Sequence, residues 1–174
     1  MDRYEGFREF FAVRQAALSR TAFLLTGSRQ AAEELLQDAL VKTVARWRRV
    51  VEGGNPEAYI RQVMLNELRS RWRRRRRGVE HPTAELLDQA ETRDLESDTA
   101  DRDLLAAALR KLAPRQRAVL YLRFYEDLPE AEVARQLGCS VGTVKSQAHD
   151  ALARLREYAP ELTSDLNQNA EVSE

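Results

Sequence analysis

Seven of the nine residues from Arg69 to Arg77 are arginines, and five of them are consecutive. Guanidinium groups stay charged and meet phosphate or carboxylate oxygens two at a time. Five in a row repel one another, so the segment demands a polyanionic partner. DNA, RNA, an anionic membrane and an acidic protein surface all meet that demand. Tyr59 and Trp72 interleave the same stretch. Aromatic rings beside cations can stack on unpaired bases, although a core position is the plainer reading of Tyr59 and of Met64.

A second candidate runs from Glu130 to Asp150 and fits the helix-turn-helix template. Such a crossing needs a small residue where the helices touch, a flexible residue in the turn and apolar residues at fixed inward positions. Ala134 is the small residue, Gly138-Cys139-Ser140 the turn, and Val133, Leu137, Cys139, Val144 and Ala148 the inward set. Ser140 is placed to cap the second helix. Gly142, Thr143, Lys145, Ser146, Gln147, His149 and Asp150 then face outward, and such a face can enter a major groove. An ordinary αα-corner shares the pattern, so the template alone leaves DNA binding and plain packing both open.

Other chemistries find no support. No Gly-rich phosphate loop, nucleophile elbow or paired catalytic carboxylates stand out, so no enzyme and no catalytic residue are expected. His81 and His149 lack partners at ligand spacing, so neither a metal nor another cofactor is expected. The single cysteine, Cys139, excludes an intramolecular disulfide. At an inward position it reads as a buried structural thiol rather than a redox sensor. No apolar run approaches the roughly 18 residues of a membrane span, and residues 1–5 show no secretory leader. A cytoplasmic protein without a membrane partner is expected.

The elements that must hold these residues are helices. Ala, Leu, Arg and Glu dominate, Val, Ile and Thr are sparse, and no alternating run appears, which predicts an all-α fold. A first helix over Tyr4–Leu25 carries Phe7, Phe11, Leu18, Ala22 and Leu25 on one stripe and closes at Gly27. A second, from an N-cap at Ser28 to the Gly53–Pro56 break, carries Ala32, Leu35, Leu36, Ala39, Leu40, Thr43, Val44 and Trp47. A third opens at Pro56, buries Tyr59, Ile60, Val63, Met64 and Leu68, and ends at Gly78. Further on, Leu104, Leu105, Ala108, Leu109 and Leu112 form one stripe. Pro114 opens a helix with Val119, Leu120, Leu122 and Phe124, and two shorter helices follow.

Formal net charge is zero, but the charges are segregated. Residues 1–78 hold 17 Lys/Arg against 9 Asp/Glu, residues 79–103 hold 2 against 9, and residues 104–160 hold 9 against 6. This is the footprint of a polyanion binder in two modules. The expected organisation is two small helical domains, 1–78 and 101–160. A flexible acidic linker at 79–100, with a short helical turn over Ala84–Ala90, joins them, and a disordered tail at 161–174 follows.

Four segments together resemble one family. They are Glu34–Lys42 (ELLQDALVK), Pro56–Asn66 (PEAYIRQVMLN), Leu112–Leu120 (LAPRQRAVL) and Gly138–Ser146 (GCSVGTVKS). In these the chain resembles an extracytoplasmic-function (group IV) RNA polymerase sigma factor of the actinobacterial type. The resemblance implies a factor that binds core RNA polymerase, recognises −35 and −10 promoter elements and directs transcription of a specific regulon. It implies Glu34, Gln37 and Asp38 as the grip on the β′ clamp helices, a further contact with the β flap, and promoter DNA as the second partner. An anti-sigma factor is an open third.

For the −10 element the resemblance implies a base pocket between the third helix and the loop before it, about Arg49 to Pro56. Asn66 would read a base edge there, with Arg61, Arg69, Arg73 and Arg74 on the phosphates. For the −35 element it implies Gly142, Thr143, Lys145, Ser146, Gln147 and His149. Gln147 and Asp150 stand where relatives often carry arginine, which implies weaker phosphate contact and an altered −35 preference. Ser70 stands where many relatives have an acid. The acidic linker would thread near the RNA exit path. A plain helix-turn-helix regulator, which would not need the Glu34–Lys42 segment or an Arg-rich N-terminal helix, and a non-DNA adaptor binding acidic proteins through the arginines are the other classes; copurification with core polymerase separates the three.

Overall fold

Apolar positions recurring every three or four residues give helices in the described residues. The computed structural model describes residues 4–78, 99–161 and 163. Its order is α1 (Phe7–Thr26), α2 (Arg29–Val44), α3 (Trp47–Glu52), α4 (Pro56–Arg76), α5 (Thr99–Arg110), α6 (Pro114–Leu120), a π-helical turn (Tyr121–Tyr125), α7 (Glu130–Leu137) and α8 (Val141–Tyr158). The chain divides into two compact units. One holds the residues up to Phe23 and those from Arg29 through α4; the other holds α5 to α8 together with Leu24–Ser28. The expected linker and tail fall almost wholly outside the described residues, as does His81; Thr99 and Ala100 open α5.

In the first unit α2 packs along α4. Leu35, Ala39 and Thr43 face Ile60, Met64, Leu65 and Leu68, all of them buried. Thr43 is tolerated there because its hydroxyl donates to the Ala39 carbonyl at 2.7 Å. Pro56 occupies the first turn of α4, and the Asn55 side chain accepts from the Ala58 N–H at 3.0 Å, so two sequence signals start this helix at one place. Gly78, at φ +69°, follows its end in a conformation that favours glycine.

Two expectations for this unit need correction. The second helix does not run to Gly53: it stops at Val44, and α3 starts afresh at Trp47. Trp47 fits the periodicity of α2, yet it is drawn to the start of the chain. Its ring lies 5.1 Å from Phe7, edge-on, and 5.2 Å from Phe10, and its Nε1–H donates to the Glu5 carbonyl at 2.9 Å. Burying a large ring with its N–H satisfied outweighs the α-helical bond that Arg46 gives up, its N–H turning to the Thr43 carbonyl at 2.9 Å. The aromatics of α4 also exchange roles. Trp72 is buried, whereas Tyr59 is only half-buried, and Leu65 joins the core while Val63 is half-buried.

In the second unit α6 and α7 both pack on α8. Pro114 starts α6, and the Gln116 side-chain oxygen accepts from the Ala113 N–H at 3.0 Å. The expected continuation through Phe124 is not α-helical. The Glu126 N–H reaches back five residues to the Tyr121 carbonyl at 3.0 Å, widening the helix into a π-turn over which Tyr121 and Tyr125 stack at 5.3 Å. The last helix is longer than expected, 18 residues, because Ala151 and Leu155 extend its buried stripe beyond Val144.

Candidate nucleic-acid interface

The helix-turn-helix is built by α7, a three-residue turn and α8. Gly138 closes α7 at φ 65°, ψ 42°, the left-handed conformation that costs other residues most. Val133 and Val144 are wholly buried, and Ala134 is buried beside them. Cys139 and Ala148, expected among the inward residues, are half-buried; the turn leaves the thiol partly open to solvent. Ser140 caps α8 as expected, its Oγ accepting from the Thr143 N–H at 3.1 Å.

The outward face of α8 is not a uniform row of free groups. Gly142, Lys145, Ser146, His149 and Asp150 are exposed, while Thr143 and Gln147 are half-buried. The Thr143 and Ser140 hydroxyls lie 2.9 Å apart, and the Ser146 hydroxyl donates to the Thr143 carbonyl at 3.1 Å. The Lys145 ammonium lies 3.7 Å from Glu130, a partner from the first turn of α7 that sequence reasoning missed. On the same helix the Arg135 guanidinium and then the Gln136 amide hold the Glu132 carboxyl down at about 2. A short acidic rim therefore borders the recognition helix.

In the first unit, successive residues of α4 advance about 100° and 1.5 Å. Tyr59, Gln62, Asn66, Ser70, Arg73 and Arg77 consequently share one face about 27 Å long, with Arg69 at its edge. Arg61 starts from nearly the opposite side of α4, so the helix does not bring it to this face; Arg74 lies on the far flank. Asn66 is exposed, and its side-chain oxygen accepts from Gln62 at 3.2 Å. Arg73 donates to the Ser70 hydroxyl at 3.1 Å. Gln62 escaped sequence reasoning because a glutamine on a helix carries no signal of its own; its position four residues before Asn66 was the available clue.

At the N-terminal end of that face lies a pocket of about 270 Å³ lined by Arg46, Arg49, Val50, Gly53, Asn55 and Tyr59. It exists because α3 ends abruptly at Gly53-Gly54, Gly54 taking φ +83°, and because Asn55 restarts the chain as α4. An aromatic ring beside two guanidinium groups suits a flat, electron-rich ring linked to a phosphate. The break that made room for Arg46 here is the one the helical periodicity concealed.

On α2, Glu34, Gln37 and Asp38 are all exposed, on the side away from the core. Glu34 accepts from Gln30 at 3.3 Å, and Asp38 pairs with Arg71 of α4 at 3.0 Å. One turn further, Lys42 pairs with Glu67. Val41 continues the stripe at 69% exposure, an unsupported apolar side chain among polar ones.

These two faces describe a two-module nucleic-acid-binding protein, and comparison with known proteins makes the class specific. Residues 11–78 match the family model for sigma-70 region 2, and residues 102–155 that for sigma-70 region 4. The RNA polymerase sigma-E factor of Streptomyces avermitilis is 46% identical over 151 residues, covering 87% of this chain and 83% of its own. The ECF RNA polymerase sigma factor SigL of Mycobacterium tuberculosis is 31% identical and covers 89% of each chain. Among solved structures, the sigma factor RpoE of Bartonella quintana, crystallised with the anti-sigma factor NepR, superposes with a TM-score of 0.56 at 28% identity, over 87% of this chain and 95% of that one. The chain belongs to the extracytoplasmic-function sigma factors of RNA polymerase, non-catalytic initiation factors that recognise promoters through sigma-70 regions 2 and 4.

Proposed function

We propose that the first unit holds polymerase and captures the opened −10 strand, while the second reads the −35 duplex. On α2, Glu34, Gln37 and Asp38, with Val41 at their centre, take the β′ clamp helices: carboxylates at the rim steer basic partners, and the valine supplies a dry contact. On α4, the pocket at Tyr59 receives an unstacked base, Asn66 and Gln62 offer amide groups to a base edge, and Arg69, Arg73 and Arg74 take phosphates. In α8, Lys145, Ser146, Gln147 and His149 enter the major groove, with Gly142 and Thr143 against the backbone. The β flap is the second unit's contact on polymerase, and domains 1–78 and 101–160 fold separately. The resemblance to a sigma factor seated on its anti-sigma factor makes such an inhibitor a reasonable third partner. The family's work on the chromosome puts the protein in the cytoplasm; no helix among the described residues is long and apolar enough to cross a membrane.

The observation that carries this reading is the pocket, which joins an aromatic ring and two guanidinium groups at the head of an arginine-bearing helix face. Run-off transcription with purified core polymerase on a promoter library tests it. Wild-type chain should select a bipartite sequence, and Tyr59→Ala should lose selection at −10 while retaining it at −35. Equal loss at both elements, or none, contradicts the division of labour.

A further inference from the structure

Two ion pairs join α2 to α4, and their register is regular. Asp38 and Lys42 are one turn apart on α2, Arg71 and Glu67 one turn apart on α4, and they pair crosswise, as in an antiparallel ladder. The Asp38–Arg71 rung links the two working surfaces of this unit. Its carboxylate belongs to the face assigned to polymerase. Its guanidinium belongs to the arginine run, three residues before Arg74. Neither side chain is sealed in: Asp38 is 54% exposed and Arg71 24%. A charge held in such a pair is cheap to release once a better partner arrives, since exposed ion pairs contribute little.

We propose that Arg71 is a further phosphate-binding residue of α4, held by Asp38 until polymerase takes that carboxylate. In the free chain Asp38 neutralises Arg71 and keeps it off nucleic acid. When a cation of the clamp helices binds Asp38, the guanidinium is released, and its long side chain can turn toward the Arg74 flank to meet the DNA backbone. Holding polymerase and holding DNA then favour each other through one exchanged ion pair, and the coupling is reciprocal. The inference rests on the assignment of Asp38 to the polymerase contact.

The test uses the full chain and a fluorescein-labelled mixed-sequence DNA single strand, titrated at several salt concentrations, beside a core-polymerase titration. Asp38→Asn should weaken core binding. In the absence of polymerase it should tighten DNA binding about two- to five-fold at low salt, the scale of an exposed ion pair, and steepen the salt slope by about 0.7, one further phosphate contact on a single strand. Arg71→Gln should leave the free chain's DNA affinity nearly unchanged but reduce that of holoenzyme assembled at saturating core. In the Arg71→Gln background, Asp38→Asn should give no gain. A gain of equal size in that background means only net charge has changed, and overturns the proposal. Weaker core binding with no DNA gain overturns the exchange but leaves the polymerase assignment standing; unaltered core binding overturns both.

Discussion

Removing the cap of the recognition helix tests how far the second unit's readout depends on one hydroxyl. Ser140 sits at φ −78°, ψ 157°, and its Oγ accepts from the Thr143 N–H at 3.1 Å and contacts the Thr143 hydroxyl at 2.9 Å. In Ser140→Ala the capping bond is lost, about 1 kcal/mol. The hydroxyl contact adds little, because Ser140 is exposed and water replaces it. For a unit of this size that shift lowers the melting temperature by about 4–8 °C. Thr143, Lys145 and Ser146 occupy the helix's opening turns, so duplex binding should weaken by about five-fold if the whole cost falls on the bound geometry. Both tryptophans, Trp47 and Trp72, lie in the first unit. Tryptophan fluorescence therefore follows that unit alone, whereas far-ultraviolet circular dichroism follows both. The variant should lower the dichroism phase and leave the fluorescence phase unmoved, and Ser140→Asp should restore it. An unshifted dichroism phase would refute the cap's role; a joint shift would refute separate unfolding of the two units.

Trp47→Ala removes a ring buried between Phe7 and Phe10 and should cost the first unit about 3–5 kcal/mol, read as a fall in its urea midpoint with Trp72 as the remaining probe. The Glu132 carboxyl, held at about 2 against an ordinary 4.5, contributes stability that is present above about pH 4.5 and lost as the pH falls toward 2. Glu132→Gln should flatten the acid limb of the second unit's stability curve in that window and leave it unchanged at neutral pH apart from a constant offset; an identical acid limb would contradict the pairing with Arg135.

Most of the scaffold was legible because its signals agree with one another. Pro56 with Asn55 and Gly78 bracket α4, and Ala134, Gly138 and Ser140 specify the helix-turn-helix by size, backbone and capping together. Where a single signal stood alone it misled. Trp47 matched the period of α2, and only its long-range contacts with Glu5, Phe7 and Phe10 break that helix. Composition placed Trp72 among arginines, yet a helix can carry cations on one side and bury an indole on the other. The candidate residues were legible as types; their partners were not. That Asp38 meets Arg71 and Lys145 meets Glu130 depends on how one helix registers on another and on rotamer, which no pattern along the chain encodes.

The central claim is that α4 and its pocket act only after a base has left the stack. Transcription from matched duplex templates and templates already melted at −10, with permanganate footprinting of the opened region, measures this directly. Asn66→Ala and Tyr59→Ala should slow opening of the duplex while leaving closed-complex formation nearly intact, because neither group meets a base edge or ring until a base is unstacked. On duplex templates Ser146→Ala with Gln147→Ala should alter −35 preference, and on pre-melted ones its effect should shrink. If Asn66→Ala and Tyr59→Ala open the duplex at the wild-type rate, strand capture by this face of α4 is wrong.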